Sequence, residues 1–139
     1  MSTVSNLVLP NALNYCFWNI RGYKSSIIGN KLIHKDFLEN VENCDIVGLA
    51  ETHIHDDILS KLSIPGFTRI NYVIRTANSK GKGSGGVAIF CKLHLNKYVT
   101  PVTQGSDDNV AWVKIDKGYK FILALWHQRA HLQTVKGTK

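Results

Sequence analysis

Asn19 closes the apolar run Tyr15-Cys16-Phe17-Trp18, and Glu51 closes a second run, Ile46-Val47-Gly48-Leu49-Ala50. In open α/β sheets chemistry collects outside the carboxyl ends of the strands, so polar residues that end buried strands are the first candidates for a site. A carboxylate there suits Mg²⁺, a hard cation that takes oxygen donors and often uses only one or two protein carboxylates with water and phosphate. Each residue alone also has a plainer reading. Asn favours strand ends for turn-forming reasons that need no function, and a strand-end Glu can simply be solvated.

Three other groupings have chemical potential. Glu51, His53 and His55 alternate, so on an extended strand they would share one face and supply part of a zinc site, although no fourth ligand is identifiable. The other reading is a loop facing water. Between residues 76 and 86, Gly81, Gly83, Gly85 and Gly86 alternate with Lys80, Lys82 and Ser84. Glycines allow close backbone approach and lysines add charge, so this loop could cradle phosphate. It lacks the Gly-Lys-Ser/Thr end of a P-loop, which leaves nucleotide hydrolysis unsupported. As a DNA-backbone contact, through Arg75, Lys80 and Lys82, it would give salt-dependent affinity without sequence preference. A solvated hairpin loop is the bland alternative. His127 and His131, four apart, read as solvated tail residues.

The elements that would position these residues follow from the pattern. The 139 residues are 44% hydrophobic, enough for one domain with a real core. Residues 15–20 read as a strand, followed by a Gly22 loop and an amphipathic helix over 31–43 with Ile33, Phe37, Leu38 and Val41 on its apolar face. Cys44-Asp45 breaks that helix. Residues 46–50 are too short and too apolar for anything but a strand covered on both faces, giving a βαβ-like opening. A short helix over 55–62 and a Pro65-Gly66 turn lead into strands at 68–75, 86–92, 97–103, 109–115 and 119–126, the last two joined by an Asp116-Lys117-Gly118 turn. Trp112 and Trp126 fall in strand patterns and read as core. Residues 1–13 and 127–139 read as tails around a domain of 14–126. The fold class is α/β with a mixed or mostly antiparallel sheet.

Charge and cysteine usage bound the partners. There are 17 Lys and Arg against 10 Asp and Glu, a formal +7, and no acidic residue lies between Asp57 and Asp107. Such a surface attracts polyanions. Cys16, Cys44 and Cys91 are odd in number without C-x-x-C spacing, and read as buried thiols rather than a disulfide framework or zinc knuckle. No apolar run approaches a membrane span and no secretory leader is visible, so the expectation is a soluble intracellular protein, nuclear or cytoplasmic, with no membrane partner.

Four segments, in order and approximate spacing, carry a resemblance. Trp18-Asn19-Ile20-Arg21-Gly22, Asp45 through His53, Pro65-Gly66-Phe67 and Gly85-Gly86-Val87-Ala88-Ile89-Phe90 resemble the endonuclease/exonuclease/phosphatase superfamily, most nearly the apurinic-type endonuclease domains of non-LTR retrotransposons. The resemblance implies a DNase I-like four-layer α/β/β/α sandwich. It also implies Mg²⁺-dependent phosphodiester hydrolysis, with Mn²⁺ as a substitute and no small-molecule cofactor, on DNA or another phosphodiester. By the same resemblance Glu51 matches the metal-binding glutamate, Asn19 the active-site asparagine that organises phosphate and metal, and His53 lies near a phosphate. The family's later Gly-Asp-Phe-Asn-like pair and its closing Asp-His pair are not present. The sequence therefore predicts the amino-terminal portion of such a domain, weak or inactive by itself, with a missing half or another chain completing it. Two rival expectations are a basic fragment that binds nucleic acid without cleaving it, and a remnant with no independent function.

Overall fold

Five apolar residues with no polar break must be covered on both faces, and Ile46–Ala50 is buried throughout. The computed structural model describes residues 4–9, 13–74, 85–102, 110–117, 119–126 and 129–134. Its strands are β1 (Val4–Leu9), β2 (Leu13–Asn19), β3 (Lys24–Ser25), β4 (Gly29–Asn30), β5 (Ile46–Ala50), β6 (Phe67–Val73), β7 (Val87–Lys92), β8 (Val99–Val102), β9 (Val110–Lys117), β10 (Tyr119–Trp126) and β11 (Arg129–Thr134). Among the described residues one α-helix, α1 (Lys35–Val41), lies in the crossover between β2 and β5. The first sheet has the order β1-β2-β5-β7-β6 and the second β11-β10-β9-β8, while β3 and β4 form a separate ribbon. Only β2 and β5 pair in parallel, with Tyr15 opposite Ile46 and Asn19 opposite Ala50; every other described pairing is antiparallel. The fold class is mixed α/β, as the sequence predicts.

The first sheet is buried on both sides. Tyr15, Ile46 and Ile89 pack against Val113, Ile115, Leu123 and Leu125 of the second sheet. On the opposite face Trp18, Val47, Leu49 and Phe90 meet Leu32, Phe37 and Val41 of the crossover, with Ile54 and Ile64 behind. Trp18 and Phe37 stack at 4.9 Å between ring centroids, tilted by 33°. Helix, sheet and sheet are thus the layers that the described residues build.

Several expectations change in the structure. The helix expected over 31–43 is broken: a 3-10 turn, Lys31–Ile33, is separated from α1 by His34, which lies extended and whose Nδ1 accepts from the Asp36 N–H at 3.2 Å as an N-cap. Ile33 consequently points to solvent while Phe37 and Val41 are buried. Val4–Leu9 and Arg129–Thr134, read as tails, are strands at the outer edges of the two sheets. Their mixed polar composition, VSNLVL and RAHLQT, gives them no clean period-two signal. Leu93–Tyr98 is a 3-10 turn, so the strand expected to start at 97 starts at Val99. Trp112 lies on the outer face of β9, since Ala111, Val113 and Ile115 alternate into the core; the side chain of Trp126 is outside the described set.

The cysteine reading changes too. Cys16 and Cys44 form a disulfide across 28 residues, with Cα atoms 6.0 Å apart, because the crossover returns the chain beside the strand it left. The βαβ-like pattern implied that return, but not that the two thiols would meet. Cys91 is a buried free thiol, as expected, and burial pushes its pKa up to about 11, leaving it protonated at neutral pH.

Tyr15 fills the space over Gly48 on the neighbouring strand, where a Cβ would collide with its hydroxyl. Among the described residues that hydroxyl is buried without a hydrogen-bond partner, and desolvation raises its pKa. An unsatisfied buried polar group costs about 1–3 kcal/mol, so Tyr15→Phe is expected to stabilise the chain by about 1 kcal/mol in urea unfolding. A loss of stability instead would show that the hydroxyl is satisfied.

Candidate functional site

Because β2 and β5 run parallel in adjacent positions, their carboxyl ends reach the same sheet edge, and Asn19 arrives beside Glu51. Asn19 Nδ2 donates to Glu51 Oε2 at 2.8 Å, while Asn19 Oδ1 accepts from the Arg21 N–H at 3.1 Å. Both ends of the Asn19 amide are therefore assigned, which fixes which atom faces the carboxylate. The antiparallel β7 starts at Val87 opposite Ala50, bringing Gly85 and Gly86 to this edge as well.

Past the strand ends the backbone continues to zip. Ile20 N–H donates to Ala50 O at 3.1 Å, Gly22 N–H to Glu51 O at 2.6 Å and Tyr23 N–H to Thr52 O at 3.0 Å. From the other side Thr52 N–H reaches Gly86 O at 3.1 Å and His53 N–H reaches Gly85 O at 3.0 Å. Within this brace three non-glycine residues are left-handed: Arg21 at φ 52°, Glu51 at 54° and His53 at 57°. Such a conformation costs about 1–2 kcal/mol per residue for an L side chain and persists only where the surroundings over-determine it.

Two glycines are required by close approach. At Gly22, φ 95°, a Cβ would lie 2.9 Å from His53 Nδ1. At Gly86, φ 92°, a Cβ would run into Thr52 Oγ1. Thr52 itself is fully buried, and its Oγ1 accepts from the Ile54 N–H at 3.4 Å.

Lys31 holds the other flank. Its Nζ donates to Ile20 O at 2.7 Å and to Arg21 O at 3.5 Å, and its N–H donates to Tyr23 O at 2.7 Å. The ammonium thus clamps the turn that directs the Arg21 N–H onto Asn19. Desolvation, with the Arg21 charge second, lowers the Lys31 pKa.

Asn19, Glu51 and His53 are therefore gathered at one edge, as expected of neighbours. The structure does not support the zinc geometry: Glu51 and His53 are left-handed rather than extended, and residues 51–55 form no strand. His55 sits instead 3.9 Å from Asp57 Oδ2 in an exposed contact. Among the described residues no group of three His, Cys, Asp or Glu side chains is placed to hold a metal. Arg75, Lys80 and Lys82, with most of the glycine-lysine loop, lie outside the described residues, as do His127 and the Gly118 turn position; His131 falls on β11, with its side chain undescribed. Sequence reading missed Lys31, Thr52 and the left-handed backbone. Lys31 lies twelve residues from Asn19 with no motif linking them.

The described residues thus build an α/β sandwich with Asn19 and Glu51 bonded at one strand-end edge. The chain belongs to the Endonuclease/Exonuclease/phosphatase family, whose model matches residues 16–134. The family comprises phosphodiester hydrolases that are generally metal-dependent. No curated protein and no solved structure matches the chain. Among the described residues no helix is long and apolar enough to cross a membrane.

Proposed function

We propose that this chain carries the asparagine and glutamate of a Mg²⁺-dependent DNA phosphodiesterase site, of the apurinic-type endonuclease branch found in non-LTR retrotransposons. The observation that supports it most directly is the 2.8 Å bond from Asn19 Nδ2 to Glu51 Oε2 at the parallel strand ends. The Glu51 carboxylate is a hard oxygen donor, which fits an ion that completes its shell with water and phosphate. Glu51 holds the metal and Asn19 orients the carboxylate and the phosphate. Bound there, Mg²⁺, or Mn²⁺ in its place, offsets charge developing on the phosphoryl oxygens. Arg75, Lys80 and Lys82 are the proposed contacts to the DNA backbone.

Activation of water needs a base that neither Asn19 nor Glu51 supplies, so the 139-residue chain is expected to cleave weakly by itself. The test is plasmid nicking with Mg²⁺ alongside two-dimensional amide NMR with and without the ion. Mg²⁺-dependent shifts at Asn19 and Glu51, and nicking above background that needs Glu51, support the reading. Amide spectra that ignore Mg²⁺ at both residues refute it.

A second reading, nucleic-acid binding without cleavage, is favoured by the acid-free stretch between Asp57 and Asp107. It requires affinity that falls steeply with salt. A binding constant unchanged between low and physiological salt removes it.

A further inference from the structure

The ribbon of β3 and β4 hangs from the site edge and holds an isoleucine in water. Ile27 is 88% exposed at its tip, beside Ile28 at 37%. This is a built feature. Ser25 Oγ accepts from the Ile27 N–H at 3.1 Å and the Ile28 N–H at 3.4 Å, closing the turn, and Gly29 takes the left-handed φ of 73° that the return needs. Asn30 Oδ1 then accepts from the Leu32 N–H at 2.9 Å, and Lys31 fastens the base of the ribbon to Ile20, Arg21 and Tyr23. A pre-organised turn that presents a large aliphatic side chain loses little entropy when that side chain is buried by a ligand.

Charge identifies the ligand class. No acidic residue precedes Asp36, whereas Arg21, Lys24, Lys31 and Lys35 surround the ribbon in sequence. An exposed apolar tip on a ribbon that carries the exposed Lys24, with the exposed Arg21 before its base, fits a partner that is anionic outside and apolar within. Duplex DNA has that character, with phosphates flanking stacked bases, and aliphatic wedges are an established way to enter a base step. The ribbon begins two residues after Gly22, whose N–H is bonded to the Glu51 carbonyl, so its base is tied to the edge that carries the Asn19–Glu51 pair.

We propose that the β3–β4 tip is a DNA wedge: Ile27 packs against the bases beside the phosphodiester addressed by Asn19 and Glu51, and Arg21 and Lys24 contact the flanking phosphates. The proposal rests on the phosphodiesterase reading above for its substrate. It extends that reading to a surface not involved in bond cleavage.

The experiment uses the full chain without Mg²⁺ and a duplex carrying 2-aminopurine, so that binding is read separately from cleavage. Wild-type protein is expected to raise the fluorescence by unstacking the probe. Ile27→Ser abolishes that rise and weakens binding about tenfold, the scale of one buried aliphatic side chain, while leaving the salt slope unchanged. Lys24→Ser lowers the slope by about one, as loss of one phosphate contact should. Leu93, 62% exposed at the opposite end of the sheet, serves as control, and Leu93→Ser behaves as wild type. Each substituted side chain is exposed, so folding is kept. Equal fluorescence and affinity for wild type and Ile27→Ser overturn the proposal, as does an equal loss in Leu93→Ser. Ile27-dependent binding to phosphatidylserine vesicles with Ile27-independent duplex binding also overturns it, and assigns the tip to a membrane surface. Failure of the Mg²⁺ response with an intact Ile27 effect would remove the cleavage reading and leave the wedge standing.

Discussion

Glu51→Ala and Glu51→Gly both lose the Mg²⁺-dependent amide shifts of the wild-type chain, and the glycine variant is the more stable of the two by about 1 kcal/mol. Both substitutions remove the carboxylate that receives Asn19 Nδ2, so the lost contact cancels between them. What differs is the cost of a Cβ at φ 54°. The weak nicking expected of the wild-type chain falls to plasmid background in either variant, as befits removal of the group that holds the charge-stabilising ion. Mg²⁺ shifts that survive in Glu51→Ala would remove Glu51 from the metal site. An alanine variant as stable as the glycine variant would mean that the left-handed backbone carries no strain. A strained residue kept where glycine would be easier is the pattern expected when a side chain is needed for chemistry.

Phe37→Ala is expected to lower the unfolding free energy by about 3–5 kcal/mol, the range for deleting a large aromatic from a packed core. Phe37 is almost wholly buried against Trp18, and Trp18 stands immediately before Asn19. Set against the roughly 5–15 kcal/mol that holds a typical domain together, that loss leaves little margin. The companion variant Ile33→Ala should stay within about 0.5 kcal/mol of wild type, because Ile33 is 59% exposed. In one continuous amphipathic helix the two positions, four apart, would share the core face and cost comparable amounts. Urea unfolding of the pair thus reads directly whether the helix breaks at His34.

What was legible in the sequence was whatever burial imposes on both faces of an element. The run 46–50 has one solution, and the strand found there is Ile46–Ala50 with every residue buried. Strands β6, β7, β9 and β10 appear within a few residues of their expected bounds, since each directs apolar residues at a core, β7 from both faces. Two of the edge strands escape this logic. Val4–Leu9 and Arg129–Thr134 have a neighbour on one side only, and their polar residues weaken the alternation that marks a strand. The break at His34 was hidden because a side-chain cap leaves no trace in hydrophobic spacing.

The candidate site shows the same division. Asn19 and Glu51 stood out as polar ends of apolar runs, and their meeting follows from parallel pairing. Neither the clamp by Lys31 nor the left-handed turn at Glu51 and His53 could be read beforehand. The first depends on a side chain reaching across a loop, and the second on a backbone held by hydrogen bonds from both flanks. The Cys16–Cys44 bridge belongs with them, since it depends on where the crossover lands rather than on local spacing.

The parallel pairing of β2 with β5 has a consequence for divergence. A parallel pair must carry its connection back along the length of the strands, so the chain between Asn19 and Ile46 has room for a surface turn, while the two strand ends are fixed by the ladder between them. Lengthening a surface loop costs free energy only logarithmically. The turn at Ser26, Ile27 and Ile28 can therefore be exchanged, extended or recharged while Asn19 and Glu51 keep their register. Selection on what the domain grips and selection on what it does to a bound phosphate thus act on separable stretches of one chain.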